Sequence, residues 1–137
     1  MNASAPGTPA TVALAAAGVH FVPRSYDHDP RATSFGLEAA QKLGVDPEQV
    51  FKTLLVAVDG EMVVGIVPVT GQLDLKALAQ AVGGKRATMA PPDLAQRRTG
   101  YVVGGISPLG QKLVHRTVLD SSAILQETIL VSGGRRG

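Results

Sequence analysis

Two apolar runs dominate the middle of the chain and predict a β-hairpin. Residues 51–58 and 61–69 are rich in valine and leucine, and the pair Asp59-Gly60 separates them. An Asp-Gly pair between two such runs is typical of a two-residue type I′ turn, because glycine adopts a positive φ without strain. We therefore expect two antiparallel strands joined by a tight turn.

Four other segments have helical patterns, several of them bounded by residues that favour helix ends. Thr8-Pro9 and Asp74 are typical of helix N-termini, whereas Gly18 and Gly44 are typical of C-termini. After Asp74 the apolar residues recur at helical spacing. The pattern predicts helices over residues 9–17, 34–44, 75–82 and 91–98.

The remaining apolar segments predict additional strands. Residues 20–27, 114–119 and 128–131 have strand-like composition. The sequence Asp27-His28-Asp29-Pro30 predicts a loop after the first of them, because the residue before a proline avoids helical geometry. Helices and strands mixed in this way favour a single α/β domain.

The length and composition are those of one globular domain. The chain has 137 residues, of which 45% are apolar. Residues 1–7 are mostly small and include proline and glycine, so we expect a loose leader before a domain over residues 8–137. No segment approaches the about 18 consecutive apolar residues of a membrane span, and the N-terminus lacks the pattern of a signal peptide. We therefore expect a cytoplasmic protein with no membrane partner.

Cysteine and histidine usage bears on redox and metal chemistry. The chain has no cysteine, which excludes disulfides, thiolate zinc sites and a cysteine nucleophile. His20, His28 and His115 lack the i, i+4 spacing of a helical zinc pair. We expect neither a metal nor another cofactor.

Charge is distributed unevenly along the chain. Residues 1–84 contain five basic and eight acidic side chains, a net charge of −3, whereas residues 85–137 contain eight basic and three acidic ones, a net charge of +5. A basic half favours an anionic partner such as nucleic acid, with a solvated basic face as the alternative. The arginines that we select as candidates for contact with phosphates are Arg97, Arg98, Arg135 and Arg136.

Aromatic side chains are scarce. The chain has five, too few for an extended stacking platform on single-stranded nucleic acid. Tyr26, Phe35 and Tyr101 are candidates to stack on one base each.

Lys52 stands out within the first strand of the predicted hairpin. Side chains alternate along a strand, so Lys52 points to the same face as Leu54, Val56 and Val58. A lysine at the margin of an apolar face can be partly desolvated while its ammonium reaches a cleft. The alternative is a structural lysine whose aliphatic stem covers apolar surface.

A glycine-rich loop, residues 104–110, contains three glycines and a proline. Such a segment can expose consecutive backbone N–H groups as an anion nest or an oxyanion site. Gly105 and Gly110 have P-loop spacing, but Gln111 stands where that motif requires lysine, which argues against a nucleotide cradle. A tight structural turn is the alternative. If the loop approaches substrate, a Cβ added at Gly104 or Gly105 should block the substrate before it harms the fold.

Six segments of the chain together form a recognisable pattern. They are Tyr26-Asp27-His28-Asp29-Pro30, Val50-Phe51-Lys52-Thr53-Leu54, Leu73-Asp74-Leu75-Lys76, Thr99-Gly100-Tyr101-Val102, Gly104-Gly105-Ile106-Ser107-Pro108-Leu109-Gly110-Gln111-Lys112 and Val131-Ser132-Gly133-Gly134. The pattern resembles the YbaK-type aminoacyl-tRNA deacylase family, which is similar to the editing domain of bacterial prolyl-tRNA synthetase. The resemblance covers about residues 8–137, and the long glycine-serine-proline block is its most specific part.

The resemblance implies a mixed, partly barrel-like sheet with flanking helices. It also implies a free-standing editing enzyme that hydrolyses the ester of mischarged tRNA, chiefly Cys-tRNA(Pro). The family's essential lysine falls on Lys52, its pocket tyrosine on Tyr26, and its substrate loop on residues 104–107. The catalytic candidates are then Lys52, Gly104 and Gly105, and the substrate-binding candidates are Tyr26, Phe35, Ile106 and Ser107.

The resemblance further implies aminoacyl-tRNA and prolyl-tRNA synthetase as partners. It implies attack by the thiol of the substrate itself, which fits a chain without cysteine. Two alternatives stay open: a deacylase for another small amino acid such as alanine, and a noncatalytic module that binds aminoacyl-tRNA or a synthetase. Family members usually continue beyond the position of Gly137, so we expect the chain to lack a short C-terminal segment.

Overall fold

A four-stranded mixed sheet with four α-helices around it forms the framework of the computed structural model, which describes residues 7–137. Most of the predicted leader, residues 1–7, lies outside the described residues. The helices are α1 (Pro9–Ala16), α2 (Phe35–Leu43), α3 (Leu75–Ala81) and α4 (Pro92–Thr99). The strands are β1 (Phe51–Val58), β2 (Glu61–Pro68), β3 (Ala87–Met89) and β4 (Arg116–Leu119), and short 3-10 helices cover Pro47–Gln49 and Ser121–Leu125.

The predicted hairpin between β1 and β2 is confirmed. Asp59 has a φ of 49° and Gly60 a φ of 88°, and a type I′ turn requires a positive φ at both central residues. The Asp59 carboxylate also accepts hydrogen bonds from the backbone N–H groups of Lys85 and Arg86, at 2.9 and 3.0 Å. The turn is therefore held to the segment that leads into β3.

The strands lie in the order β3-β1-β2-β4, and β3 and β4 form the two edges of an open sheet. β1 pairs antiparallel with both neighbours, whereas β4 runs parallel to β2. Because β1 is central, both of its faces are buried: Phe51 and Leu55 on one face, Val56 and Val58 on the other. The mixed α/β class predicted from the sequence is confirmed.

Apolar side chains form three clusters around this sheet. Burying one such branched or aromatic side chain contributes roughly 1.5–3 kcal/mol. The first cluster joins α1, α4 and the glycine-rich loop to one face and contains Ala10, Phe51, Leu55, Val64, Ile66, Ala95, Tyr101 and Ile106. The second packs α3 on the other face and contains Val56, Val58, Val63, Leu78 and Ala79, while the third packs α2 at the start of β1 and contains Ala40, Val50 and Val69.

The predicted helix ends are also confirmed. Thr8 and Thr11 form a reciprocal capping box at the start of α1, where Pro9 is the first helical residue. The Asp74 carboxylate accepts a hydrogen bond from the Ala77 N–H at the start of α3. Gly44 ends α2 in the left-handed conformation.

Three strand predictions need correction. Residues 20–27 form an extended segment without strand pairing, and Pro23 within it lacks the N–H that a ladder needs. Residues 128–131 contribute one isolated parallel bridge, between Leu130 and Val50. β4 begins at Arg116 rather than at residue 114, and the three residues of β3 were not predicted at all.

Within residues 7–137 no helix is long and apolar enough to cross a bilayer.

Candidate active site

A cleft of about 830 Å³ is lined by β1, α2, the extended segment around residues 20–26 and the glycine-rich loop. It brings together residues that are distant in the sequence. The predicted site residues that line it are Tyr26, Phe35, Lys52, Gly104, Ile106 and Arg135. Gly105 and Ser107 lie in the same loop but do not line this cleft, and neither do Arg97, Arg98 and Arg136.

Lys52 is the second residue of β1 and is half-buried in the cleft wall. Its backbone lies opposite Val67 of β2, so regular strand pairing fixes its position. Among the described residues, its ammonium group has no carboxylate partner and no hydrogen bond. The cation is therefore available to an anionic group of a ligand.

The charge of the cleft is positive. Arg24, Lys52 and Arg135 line it, and no aspartate or glutamate within residues 7–137 does. Like Lys52, Arg24 and Arg135 have no ion-pair partner in this part of the chain. A concave site with one sign of charge concentrates ligands of the opposite sign, so this cleft suits phosphate or developing oxyanion groups. No group of three or more His, Asp or Glu side chains suited to a metal ion occurs in the described residues.

Phe35 lines the cleft from the start of α2. The Arg136 guanidinium lies 4.3 Å from the centroid of the Phe35 ring. The centroids of the His28 and Phe35 rings lie 5.8 Å apart. Gly104 has a φ of +88°, and a Cβ built there would lie 2.5 Å from Phe35 Cδ2. Phe35 thus packs the glycine-rich loop against the C-terminal segment, rather than standing free to stack on a base.

Glu38 anchors the loop that carries Tyr26. Its carboxylate is buried, and it accepts hydrogen bonds from His28 Nδ1 and the Asp29 N–H, each at 2.7 Å. Lys42 Nζ lies 3.5 Å from the same carboxylate. The Asp29 N–H, followed by His28 and Lys42, lowers the pKa of Glu38. The buried anion therefore holds residues 26–29 on α2.

Tyr26 occupies the part of the cleft wall nearest to the C-terminal segment. Its backbone N–H donates to the Gly137 carbonyl at 3.1 Å. Burial raises the pKa of the Tyr26 hydroxyl, and the nearby charge of Glu38 acts in the same direction. The phenol is therefore neutral at physiological pH and available as a hydrogen-bond donor.

Gly105 contacts protein backbone rather than open cleft. A Cβ built there would lie 2.7 Å from Arg135 Cα, and its own N–H already donates to the Val102 carbonyl at 2.9 Å. The expectation that a Cβ at Gly104 or Gly105 meets substrate first is therefore wrong, because Phe35 and the Arg135 backbone occupy that space. Among the described residues, the N–H groups of Gly104 and Ile106, both in the cleft wall, have no hydrogen-bond acceptor.

Ser107 and Tyr101 stabilise the interior of the glycine-rich loop. Ser107 is completely buried, and its hydroxyl accepts a hydrogen bond from the Leu109 N–H at 3.2 Å. The Tyr101 hydroxyl donates to the Leu109 carbonyl at 2.6 Å, and only 4% of Tyr101 is exposed. Tyr101 is therefore a core residue and does not stack on a base.

The four predicted tRNA-binding arginines occupy two different places. Arg97 and Arg98 lie in the last turn of α4, where Arg97 Nη2 is 3.9 Å from Asp93 and Arg98 Nε is 3.3 Å from His115. Arg135 and Arg136 lie by the cleft, where Arg136 Nε donates to the Val103 carbonyl at 2.9 Å. The structure therefore separates the four arginines into a patch on α4 and a pair in the C-terminal segment, of which Arg135 lines the cleft.

Two residues of this site were not selected from the sequence. Arg24 falls in a segment whose apolar composition predicted a strand, so no signal placed it in a cleft. Glu38 lies within a helical pattern, where a glutamate is ordinarily solvent-exposed. Contacts between distant parts of the chain identify both: Arg24 lines the cleft, and Glu38 binds His28 and Asp29.

Known proteins show a clear relationship to this chain. The family model described as "Aminoacyl-tRNA editing domain" matches residues 28–137. An Enterococcus faecalis protein, provisionally named Cys-tRNA(Pro)/Cys-tRNA(Cys) deacylase EbsC, is 39% identical over 99 residues, which cover 72% of this chain and 60% of that protein. A proline-tRNA ligase of Maridesulfovibrio salexigens is 33% identical over 100 residues, 73% of this chain and 17% of the ligase. The chain thus spans only part of either relative.

Solved structures agree with this relationship. A crystal structure described as a candidate trans-editing enzyme for prolyl tRNA synthetase matches with a TM-score of 0.70 and 27% identity, covering 78% of this chain and 68% of the other. The crystal structure of hypothetical protein APE2540 matches with a TM-score of 0.79 and 24% identity over 94% of this chain and 84% of the other, and it supports the fold alone. Because the family model spans residues 28–137, this chain belongs to the aminoacyl-tRNA editing domain family.

Proposed function

We propose that the chain is a free-standing trans-editing hydrolase that cleaves the ester between an amino acid and the terminal ribose of mischarged tRNA. Cys-tRNA(Pro) is its chief substrate, supported by the name of the Enterococcus faecalis relative. The observation that carries the proposal is the cleft itself, which is lined by both an unpaired lysine and the glycine-rich loop and, within residues 7–137, by no carboxylate. The reaction needs no cofactor, and it takes place in the cytoplasm, where aminoacyl-tRNA is used.

Ester cleavage places negative charge on the carbonyl oxygen, and the cleft offers two kinds of group to stabilise it. Lys52 supplies a cation, and the Gly104 and Ile106 N–H groups supply backbone donors without competing acceptors among the described residues. Fixed donors in a site shielded from water stabilise such a charge strongly, and removing one commonly lowers the rate by about 10²–10³. Gly105 contributes packing instead, because its N–H is already bonded.

The cysteinyl substrate supplies its own nucleophile. Its thiol sulfur bonds to the ester carbonyl carbon, the carbon–oxygen bond to the ribose breaks, and the proton passes from the thiol to the leaving ribose oxygen. Water then opens the cyclic thioester to free cysteine. Holding sulfur and carbonyl in near-attack geometry replaces a protein nucleophile through effective molarity. The enzyme then needs only to position the ester and stabilise the oxyanion.

The cleft cations and the α4 patch bind the tRNA backbone. Arg24 and Arg135, which line the cleft, contact the phosphates adjoining the aminoacylated nucleotide in this proposal, and Arg97 and Arg98 of α4 contact phosphates further along the tRNA. Phosphate contacts carry no base information, so tRNA identity comes from a partner. Prolyl-tRNA synthetase is that partner in our proposal, supported by the similarity to a proline-tRNA ligase.

A panel of aminoacyl-tRNAs tests the proposed activity. Purified protein is incubated with Cys-, Ala-, Ser- and Pro-tRNA(Pro), and free amino acid is measured over time. We expect rapid release of cysteine and slow release of the others. Faster release of alanine would reassign the amino-acid specificity, and no release from any substrate would overturn the enzyme proposal in favour of a binding module.

Product analysis tests the nucleophile. Seryl-tRNA is nearly isosteric with cysteinyl-tRNA but has a much less acidic side chain, so we expect the cysteine ester to react much faster and to give a cyclic thioester first. Equal rates, or solvent oxygen in the first-formed product, would show that an activated water attacks instead.

A further inference from the structure

A chain of hydrogen bonds runs behind the glycine-rich loop, outside the cleft. Gln111 Nε2 donates to the Ser107 carbonyl at 3.0 Å. Gln111 Oε1 lies 2.8 Å from His115 Nδ1, and Arg98 Nε lies 3.3 Å from His115 Nε2. The chain therefore connects the cleft loop to the last turn of α4.

The chemistry of these groups determines the protonation of His115. An arginine Nε can only donate, so His115 Nε2 is the acceptor of that bond. The histidine proton then lies on Nδ1 and is donated to Gln111 Oε1, which leaves the Gln111 amide nitrogen to donate to Ser107. The bonds are mutually consistent only when His115 is neutral.

α4 also holds the other end of the loop. The Gln96 amide oxygen accepts a hydrogen bond from the Val103 N–H at 3.1 Å. Between Val103 and Ser107 lie Gly104 and Ile106, which line the cleft and whose N–H groups have no acceptor among the described residues. Two of the contacts that position these donors therefore lead to one helix, α4.

We propose that Gln111 and His115 are positioning residues for the deacylation, because together with Arg98 they hold the Ser107 carbonyl and the cleft loop on α4 while His115 is neutral. This inference rests on the proposed function. Neither residue touches the cleft, so each acts through the loop. Protonation of His115 would put a second donor opposite Arg98 Nε and break the connection.

The surroundings of His115 favour its neutral form. Burial, followed by the charge of Arg98 on α4, lowers the pKa of His115 below its usual value of 6.5. The neighbouring Arg116 is engaged by Glu61 of β2 at 2.8 Å. The neutral form thus prevails at pH 7, and the loop loses its support as the pH falls through the folded-state pKa.

Two variants and one control test this inference. Gln111→Met removes both hydrogen bonds at similar volume, and we expect kcat to fall by about 10- to 100-fold, as for a small misplacement of reacting groups. His115→Asn keeps a donor near Nδ1 but cannot titrate, so we expect its pH profile to lose the decline that wild-type kcat shows at acidic pH. Lys112→Gln changes the exposed neighbour of Gln111 and is the control. It should leave both kcat and the pH profile of kcat as in the wild type.

Amide NMR gives a readout that does not depend on activity. The chain has three histidines, so the ring signals of His115 can be assigned and titrated. We expect the Gly104 and Ile106 amide shifts to follow the His115 titration in the wild type and not in His115→Asn. Wild-type kcat in Gln111→Met, an acidic decline that persists in His115→Asn, or loop amides indifferent to the titration would each overturn the inference. If the wild type hydrolyses nothing, the proposed function fails, while the NMR titration still decides on the positioning.

Discussion

The two walls of the cleft are built in different ways. The strand wall, residues 51–55 of β1, is held by backbone pairing with β2 on one side and, further along, β3 on the other. The loop wall, residues 103–106, contains no regular structure and is held by contacts from Phe35, Gln96 and Gln111. The strand wall carries the cation, and the loop wall carries the backbone donors.

This difference predicts how each wall responds to mutation. A strand in the middle of a sheet keeps its position when one side chain changes, so a substitution there alters chemistry more than geometry. A single side-chain hydrogen bond contributes about 0.5–1.5 kcal/mol, so a loop held by a few of them moves when one is lost. Substitution of Lys52 in the strand wall should therefore affect rate alone, whereas substitutions around the loop wall should affect stability as well.

Lys52→Ala should have the largest effect and isolate the chemistry of the strand wall. We expect a loss of about 10²–10³ in single-turnover hydrolysis of Cys-tRNA(Pro), because a group that stabilises the oxyanion is removed. Thermal unfolding should change little, since the Lys52 side chain is half-buried and its ammonium makes no hydrogen bond or ion pair within residues 7–137. Lys76→Ala on the exposed side of α3 is the control and should keep full activity. Near wild-type turnover in Lys52→Ala would contradict the proposal that Lys52 stabilises the oxyanion.

Gly105→Ala should affect the loop wall through packing. The added Cβ would lie 2.7 Å from Arg135 Cα, and overpacking of this kind costs about 1–3 kcal/mol in the free energy of unfolding. Gly133→Ala is a matched control, because a Cβ there has no atom within 4 Å. Urea unfolding of both variants makes the comparison. Equal stability would mean that the contact between loop and C-terminal segment does not hold the wall.

Glu38→Gln should weaken the segment that carries Tyr26 in a pH-dependent way. The pKa of Glu38 is lowered in the folded state, so its contribution to stability is complete above its usual value of 4.5 and is lost as the pH falls through the folded-state value. The variant should be less stable than the wild type at neutral pH, and the two should converge in acid. Urea unfolding over a pH series measures this. A constant difference at all pH values would contradict the role given to the carboxylate.

Arg24→Gln and Arg135→Gln should have the smallest effects and concern binding alone. If each arginine meets one phosphate, each variant should reduce the salt dependence of tRNA binding by a slope of about 0.7–0.9 in log Kd against log salt. Arg31→Gln is the control, because Arg31 is exposed and already paired with Asp29. Unchanged slopes in both cleft variants would assign phosphate binding to the α4 patch instead.

The parts of the molecule that sequence predicts well are those determined by neighbouring residues. The Asp59-Gly60 turn, the glycine that ends α2 and the Asp74 cap follow from local geometry, and alternation along β1 placed Lys52 at a buried face. The resemblance to the editing family supplied most of the site.

What escaped prediction depends on contacts across the fold. Arg24 lines the cleft because an apolar segment stays unpaired instead of forming a strand, and Glu38 is buried because His28 and Asp29 return to it. The Gly105 N–H is bonded to the Val102 carbonyl, whereas the Gly104 N–H has no acceptor among the described residues, and this difference depends on the conformation of the loop. None of these leaves a signal in the local pattern.

The central claim is that both walls together bind the aminoacyl end of tRNA, and NMR with a stable analogue tests it most directly. The ligand is adenosine carrying cysteine through an amide at the 3′ position, which resists hydrolysis. On titration we predict amide shift changes at Lys52 in the strand wall and at Gly104 and Ile106 in the loop wall, with α3 unaffected. Shift changes confined to α3 or to residues 121–125, or to one wall alone, would contradict the account.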